Sequence, residues 1–173
     1  MLAFGRRSGY DLAQAAERSV AYLWTPSRSQ IYKVLPRLVS SGLATSEAVA
    51  QRGRPDKSLY EITPLGLQTL RDWLEDVGEP VAGGAEYVLK VFFCEFASAQ
   101  AALGQLGAYR RLLERRLEAY EALEEPGDRS YPQHTLQHGL ARARATLAWI
   151  DDTAAAIESG VPVASAVPPP RDA

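Results

Sequence analysis

TPSRSQIYKVLPRLVSSG, residues 25–42, reads as one helix of about four turns, close to the usual length in a globular protein. Ser27 is placed to cap it, and Gln30 stands three residues on, where a capping-box partner belongs. Thr25-Pro26 is a competing start, because proline suits the first helical position. Gly42 closes the helix from the C′ position. Ile31, Leu35, Leu38 and Val39 fall on one face by helical spacing. Arg28, Gln30, Lys33 and Arg37 lie largely off that face, with Tyr32 beside them. A front of Ser, Arg, Gln, Tyr and Lys suits the major groove of DNA. Arg can bond guanine bidentately, Gln can bond adenine, and Lys and Tyr can reach phosphate. An ordinary surface helix shares this amphipathic form, so its neighbours in the chain decide.

Ahead of it, Ser8 is a candidate cap for a helix from about Gly9 to Val20. Tyr10, Leu12, Ala13, Ala16 and Val20 supply its buried face. Met1–Gly5 is too short for an independent helix. Tyr22-Leu23-Trp24 is a short connector, so two helices follow one another in a helix-turn-helix arrangement. After Gly42 the period changes from about 3.6 to about 2. Residues 43–47 and 58–62 can form two strands, joined by the turn-rich segment 51–57 with Arg52, Arg54 and Lys57. A basic-tipped hairpin after a helix-turn-helix is a winged helix. Its cations can meet phosphate or enter the minor groove. Pro36 lies inside the front-bearing helix, where it removes one backbone bond and predicts a kink.

Thr63-Pro64 starts a further helix to about Val77, with Leu65, Leu67, Leu70, Trp73, Leu74 and Val77 on its apolar face. GEPVAGG, residues 78–84, is a linker by composition. The rest reads as helical. Residues 85–96 are apolar over most of their girth and predict burial. A long helix capped by Ser98 runs to about Glu125, and another runs from about Pro132 to Glu158. In the last, Leu136, Leu140, Ala143, Leu147, Ile150, Ala154 and Ile157 form a sustained heptad seam. Two long helices joined by a short loop make a hairpin. The seam then offers Leu136, Leu140, Leu147, Ile150 and Ile157 to a second copy of the chain. The expected organisation is a winged helix-turn-helix domain at 1–77, a linker at 78–84, an all-α dimerisation domain at 85–160 and a disordered tail at 161–173. The fold class is mainly α.

The chain has 173 residues and a formal charge of −2, which hides an asymmetry. Residues 1–62 hold 9 Lys and Arg against 5 Asp and Glu, while the remainder holds 10 against 16. A basic first part is compatible with polyanion binding by that part alone. One cysteine, Cys94, excludes an internal disulfide framework and fits a reducing cytosol. No run approaches the roughly 20 apolar residues of a membrane helix. The expected location is the cytoplasm, with no membrane partner.

These motifs resemble the PadR (phenolic acid repressor-like) family of transcriptional regulators. The likeness rests on Ser8-Gly9-Tyr10-Asp11-Leu12, Ser27 to Tyr32, Leu38, Gly42-Leu43, Gly53-Arg54-Pro55, Tyr60, Ile62-Thr63 and Gly66. From Glu86 to Phe93 the sequence is similar, more loosely, to the C-terminal dimerisation domain of one branch of that family. Family members have a full helix ahead of the Ser-Gly-Tyr segment, where this sequence has Met1–Gly5. The resemblance implies a homodimeric winged-helix repressor, often released by a small-molecule effector.

Other constellations point less far. His134 and His138 share a face at i, i+4 spacing but lack a third zinc ligand. Cys94 sits on an apolar helix like many buried free cysteines. No nucleophile motif such as GxSxG occurs, so neither catalysis nor a metal or other cofactor is expected. Trp24, Trp149 and the Phe92-Phe93-Phe96 group are candidates for an effector pocket, although core packing explains them equally. The DNA-contacting set expected from the sequence is Ser27, Arg28, Gln30, Tyr32, Lys33, Arg37, Arg52, Arg54, Lys57 and Tyr10. Arg28 and Gln30 are the base readers. The partner is a pseudo-palindromic double-stranded operator, bound by a homodimer. A winged-helix module for protein partners and a small-molecule-binding protein without DNA binding are the alternatives. Salt dependence separates the first of these from a DNA binder.

Overall fold

A computed structural model describes residues 1–23, 26–50, 57–78, 86–125 and 127–160. The element order is β1 (Arg7–Ser8), α1 (Gly9–Ser19), α2 (Arg28–Ser40), β2 (Ala44–Val49), β3 (Lys57–Ile62), α3 (Pro64–Glu75), α4 (Glu86–Phe93), α5 (Ala99–Glu121) and α6 (Tyr131–Glu158). Short 3₁₀ turns at Leu2–Phe4 and Cys94–Phe96 flank β1 and extend α4. Contacts divide the chain into two compact units, Met1–Trp73 and a second beginning at Leu74. Most of the linker expected at 78–84 and all of the tail expected at 161–173 fall outside the described residues.

The first unit is the expected winged helix. α1 and α2 pack on a small sheet of order β1-β3-β2, with both pairings antiparallel. Its hairpin runs in register from Ala44↔Ile62 to Val49↔Lys57. β1 was not anticipated: Arg7 pairs with Tyr60 and Ser8 with Leu59. Two residues show no period, so only the partner strand reveals them. The core is Leu2, Leu12, Leu35 and Ala44, with Ile31, Leu38, Val39, Tyr60 and Ile62 packed round it. The 3₁₀ turn therefore does contribute to the unit, since it places Leu2 in that core.

Both helices of the pair are capped as expected. Ser8 and Asp11 form one capping box, and Ser27 and Gln30 the other. α2 continues through Pro36 to Ser40 as one helix. Pro36 faces solvent, where water can meet the Tyr32 carbonyl that lost its bond. Gly42 has φ +70°, as a C′ glycine requires. Three expected core positions are corrected: Tyr10 is 48% exposed, Leu65 58% and Val77 42%.

The second unit is helical. Leu106, Tyr109 and Leu113 of α5 meet Ile150 of α6 in its core, and Tyr87 and Val91 of α4 pack against them. The heptad seam lies within this hairpin. Leu140 is 0% exposed and Ile150 1%, while Leu147 and Ile157 pack on the same cluster and Leu136 is half-buried. Leu140 and Ile150 are therefore core of this chain's own hairpin, while Leu136, Leu147 and Ile157 keep partial exposure. A seam of this period serves an antiparallel partner in the same chain as well as one in another chain.

The expected burial of the segment 85–96 is corrected as well. Val88, Leu89, Phe92, Phe93 and Phe96 are half-exposed, and the one buried residue of α4 is Lys90. Lys90 Nζ donates to the Asp76 carbonyl at 2.6 Å. Gln105, also buried, donates from Nε2 to the carbonyls of Leu74 at 3.1 Å and Asp76 at 2.8 Å. These two side chains satisfy acceptors at the end of α3 that no helical N–H can reach.

Candidate nucleic-acid interface

The face is built from the cap outward. Ser27 Oγ accepts from Gln30 N–H at 3.2 Å, and Gln30 Oε1 accepts from Ser27 N–H at 2.8 Å. That reciprocal pair starts α2 abruptly and points its first turn away from the core. Leu35 anchors the opposite side, fully buried. Ser27, Arg28, Gln30, Tyr32, Lys33 and Arg37 are all exposed, and α2 carries no carboxylate. Such a face attracts phosphate with nothing on the helix to cancel it.

α1 sets the angle of this face through Gly9. A Cβ there would stand 2.7 Å from Tyr32 Cε1 and 3.3 Å from Leu35 Cδ1. The Tyr32 ring thus lies against the start of α1, not on the apolar side of its own helix, and it remains 54% exposed. Tyr10 flanks the same region. Its ring centre is 5.4 Å from Arg28 Cζ, and its hydroxyl accepts from Gln14 Nε2 at 2.7 Å.

The wing is reached through Lys57. Its Nζ is 3.1 Å from Asp11 Oδ2, so the cation expected at phosphate has a partner inside the unit. Asp11 also accepts from Ser8 Oγ at 2.7 Å. Burial opposes its charge, but the Ser8 hydroxyl, Lys57 and the Ser8 backbone N–H outweigh that and hold its pKa below the usual carboxylate value. Arg6, on the strand side, pairs with Glu47 of β2. Arg52 and Arg54 lie outside the described residues.

Gln14 was not singled out in the sequence, and Asp11 entered only as part of the family pattern, without a role. The i, i+4 spacing of Tyr10 and Gln14 was the available signal for the first. The partner of Asp11 lies 46 positions on, at Lys57, and had no local signature. In the second unit Trp149 meets Tyr87 edge-on at 6.2 Å, and Tyr87 stacks on Tyr109 at 3.4 Å. Burial and the neighbouring Tyr109 push the Tyr87 hydroxyl well above its ordinary pKa. Phe92 and Phe93 pair edge to face at 4.9 Å. Trp24 lies outside the described residues. The Cys94 thiol is pushed up to about 11, first by burial and then by Glu75, and so stays protonated at neutral pH. His134 and His138 are exposed. Among the described residues no helix is long and apolar enough to cross a membrane.

A helix-turn-helix with a hairpin wing and a carboxylate-free, cationic second helix defines the winged-helix class. Residues 1–72 match the family model described as Transcriptional regulator PadR-like family. Residues 85–158 match the one described as Virulence activator alpha C-term. The chain is 25% identical over 170 residues to a probable transcriptional regulator of Mycobacterium tuberculosis, covering 87% of this chain and 90% of that one. It is 29% identical over 172 residues to the negative transcriptional regulator PadR of Bacillus subtilis, covering 91% and 93%. A crystal structure of Bacillus subtilis PadR in complex with operator DNA resembles it with a TM-score of 0.45 at 25% identity, covering 90% of this chain and 94% of that one. The chain's first 72 residues thus match the PadR-like family of transcriptional regulators, and over most of its length it is similar to regulators of that kind.

Proposed function

We propose that the protein is a sequence-specific DNA-binding regulator, a cytoplasmic repressor that a small-molecule effector releases from its operator. The observation that carries this is the front of α2. Arg28, Lys33 and Arg37 stand exposed beside Ser27, Gln30 and Tyr32, on a helix anchored through Leu35. In helix-turn-helix proteins the N-terminal residues of this helix touch base edges. Arg28 is the base reader in this reading. Gln30 caps the helix through its oxygen and has only its Nε2 to offer. Lys33, Arg37, Arg52 and Arg54 meet phosphate, with Arg54 toward the minor groove, and the hydroxyls of Tyr32 and Ser27 add backbone contacts. Lys57 steadies the base of the wing through Asp11. The effector part rests on the family, and no catalytic step or cofactor belongs to the proposal.

A homodimer belongs to it. Tyr87 and Val91 face the core, so Leu89, two positions from each, lies on the opposite side of α4. Its half-exposed apolar neighbours Val88 and Phe92 make that side the surface we assign to the second copy.

The test is a gel-shift titration on DNA upstream of the protein's own gene, over a salt series. A retarded band that weakens steeply with salt is expected, because phosphate contacts release counterions. Arg28→Ala should weaken operator binding by about 1–3 kcal/mol and relax preference at one base pair. No band at low salt would overturn the proposal, and a salt-insensitive partner on the same face would favour a protein-binding module.

A further inference from the structure

The first turn of α2 leaves one long polar side chain uncommitted, and the preceding helix holds it. Gln30 is committed to Ser27 through both its side-chain oxygen and its backbone N–H. Ser29 Oγ lies 3.3 Å from Ser27 Oγ. The Arg28 guanidinium makes no hydrogen bond or ion pair among the described residues, and it stands over the Tyr10 ring. Tyr10 in turn is held by Gln14, one helical turn along α1.

The choice of a ring as the holding group has a chemical consequence. A carboxylate would take up the N–H donors of the guanidinium. An aromatic face attracts the same cation through its quadrupole and takes none of them. All five donors stay available for an acceptor pair such as guanine O6 and N7. The cation loses rotamer freedom before it meets the base, so less is lost on binding.

We propose that Tyr10, steadied by Gln14, is a positioning residue for Arg28 and so sets specificity at the base pair that Arg28 reads. The inference rests on the DNA-binding reading above. Tyr10 is 48% exposed, so its replacement spares the core.

The experiment titrates wild type, Tyr10→Ala, Tyr10→Phe, Gln14→Ala, Arg28→Ala and the Tyr10→Ala/Arg28→Ala double variant. The DNAs are the operator and a set with each base pair replaced in turn. The pair at which Arg28→Ala loses preference is the one that Arg28 reads. At that pair Tyr10→Ala should lower discrimination about two- to fivefold, the range of an exposed cation–π contact. Tyr10→Phe keeps the ring and should keep most of the discrimination, matching Gln14→Ala. In the Arg28→Ala background, Tyr10→Ala should change nothing further at that pair. A merely structural role would weaken every DNA alike and add to the Arg28 effect, and that result overturns the inference. Equal weakening with a flatter salt slope makes Tyr10 a phosphate contact and overturns it too. A wild-type shift with unchanged discrimination in Tyr10→Ala defeats this inference alone, whereas no wild-type shift defeats the DNA-binding reading beneath it.

Discussion

Gly66 opens α3 against the backbone of a distant residue. A Cβ on it would stand 2.0 Å from the Leu43 carbonyl oxygen. That oxygen already accepts Thr63 N–H at 3.0 Å. Thr63 Oγ1 donates to the Gly42 carbonyl at 2.7 Å and accepts Gly66 N–H at 3.0 Å. The end of α2, the start of β2 and the start of α3 thus meet in one hydrogen-bonded corner. Backbone cannot swing aside as a side chain can. Gly66→Ala should therefore destabilise the winged-helix unit by about 1–3 kcal/mol, the usual range for overpacking. Urea unfolding followed by circular dichroism measures it, and a midpoint equal to wild type would refute the tight corner. Gly9→Ala should cost less, since its nearest neighbour is the movable Tyr32 ring. The sequence marked both glycines as part of a family pattern, but not why. Leu43 lies 23 positions from Gly66, and no local period reports a contact at that distance.

Elements were legible where their own chemistry starts and stops them. α1 and α2 each carry a cap, a periodic face and a capping box, and Thr63-Pro64 announces α3. What joins the elements was less legible. β1 has two residues and exists only through β3. No period or motif sets Lys90 and Gln105 apart, yet their buried groups bond carbonyls at the end of α3. The heptad seam was legible as a seam, and its occupant was not. Asp11 shows how a link between elements can be measured. It caps α1 through Ser8 and holds Lys57 at the first residue of β3. Its pKa lies below the ordinary 3.8, so its charged form favours the folded state. That stability is present above the unfolded value and is lost as pH falls below it, through the folded pKa. Asp11→Asn should therefore be less stable than wild type at neutral pH. The difference should shrink as pH falls below about 4. Thermal melts of both proteins between pH 2.5 and 7 test this, and a constant difference across that range would show that the charge of Asp11 is not what matters.

At the scale of the whole molecule the charge is segregated, with 9 cations against 5 anions in residues 1–62 and 10 against 16 beyond. Repulsion from phosphate therefore acts on the helical part while attraction acts on the winged helix. One winged helix offers few cations: Arg28, Lys33 and Arg37 on α2, with Arg52 and Arg54 in the wing segment. A two-fold dimer doubles that set and places the two copies of α2 on half-sites about one helical turn apart, or a multiple of it. The salt slope of binding counts phosphates neutralised, at about −0.9 per contact. It therefore reports the number of winged helices engaged, independently of their individual affinity. Leu89→Glu places a charge on the side of α4 away from its own core and should yield a folded monomer by sedimentation. On a full operator that monomer should bind with about half the wild-type slope, because one half-site is engaged. A wild-type slope from a proven monomer would mean that one copy makes all the contacts, and the pseudo-palindrome would lose its basis. A Leu89→Glu protein that stays dimeric would move the interface off α4 and leave the proposed DNA-binding face of α2 untouched.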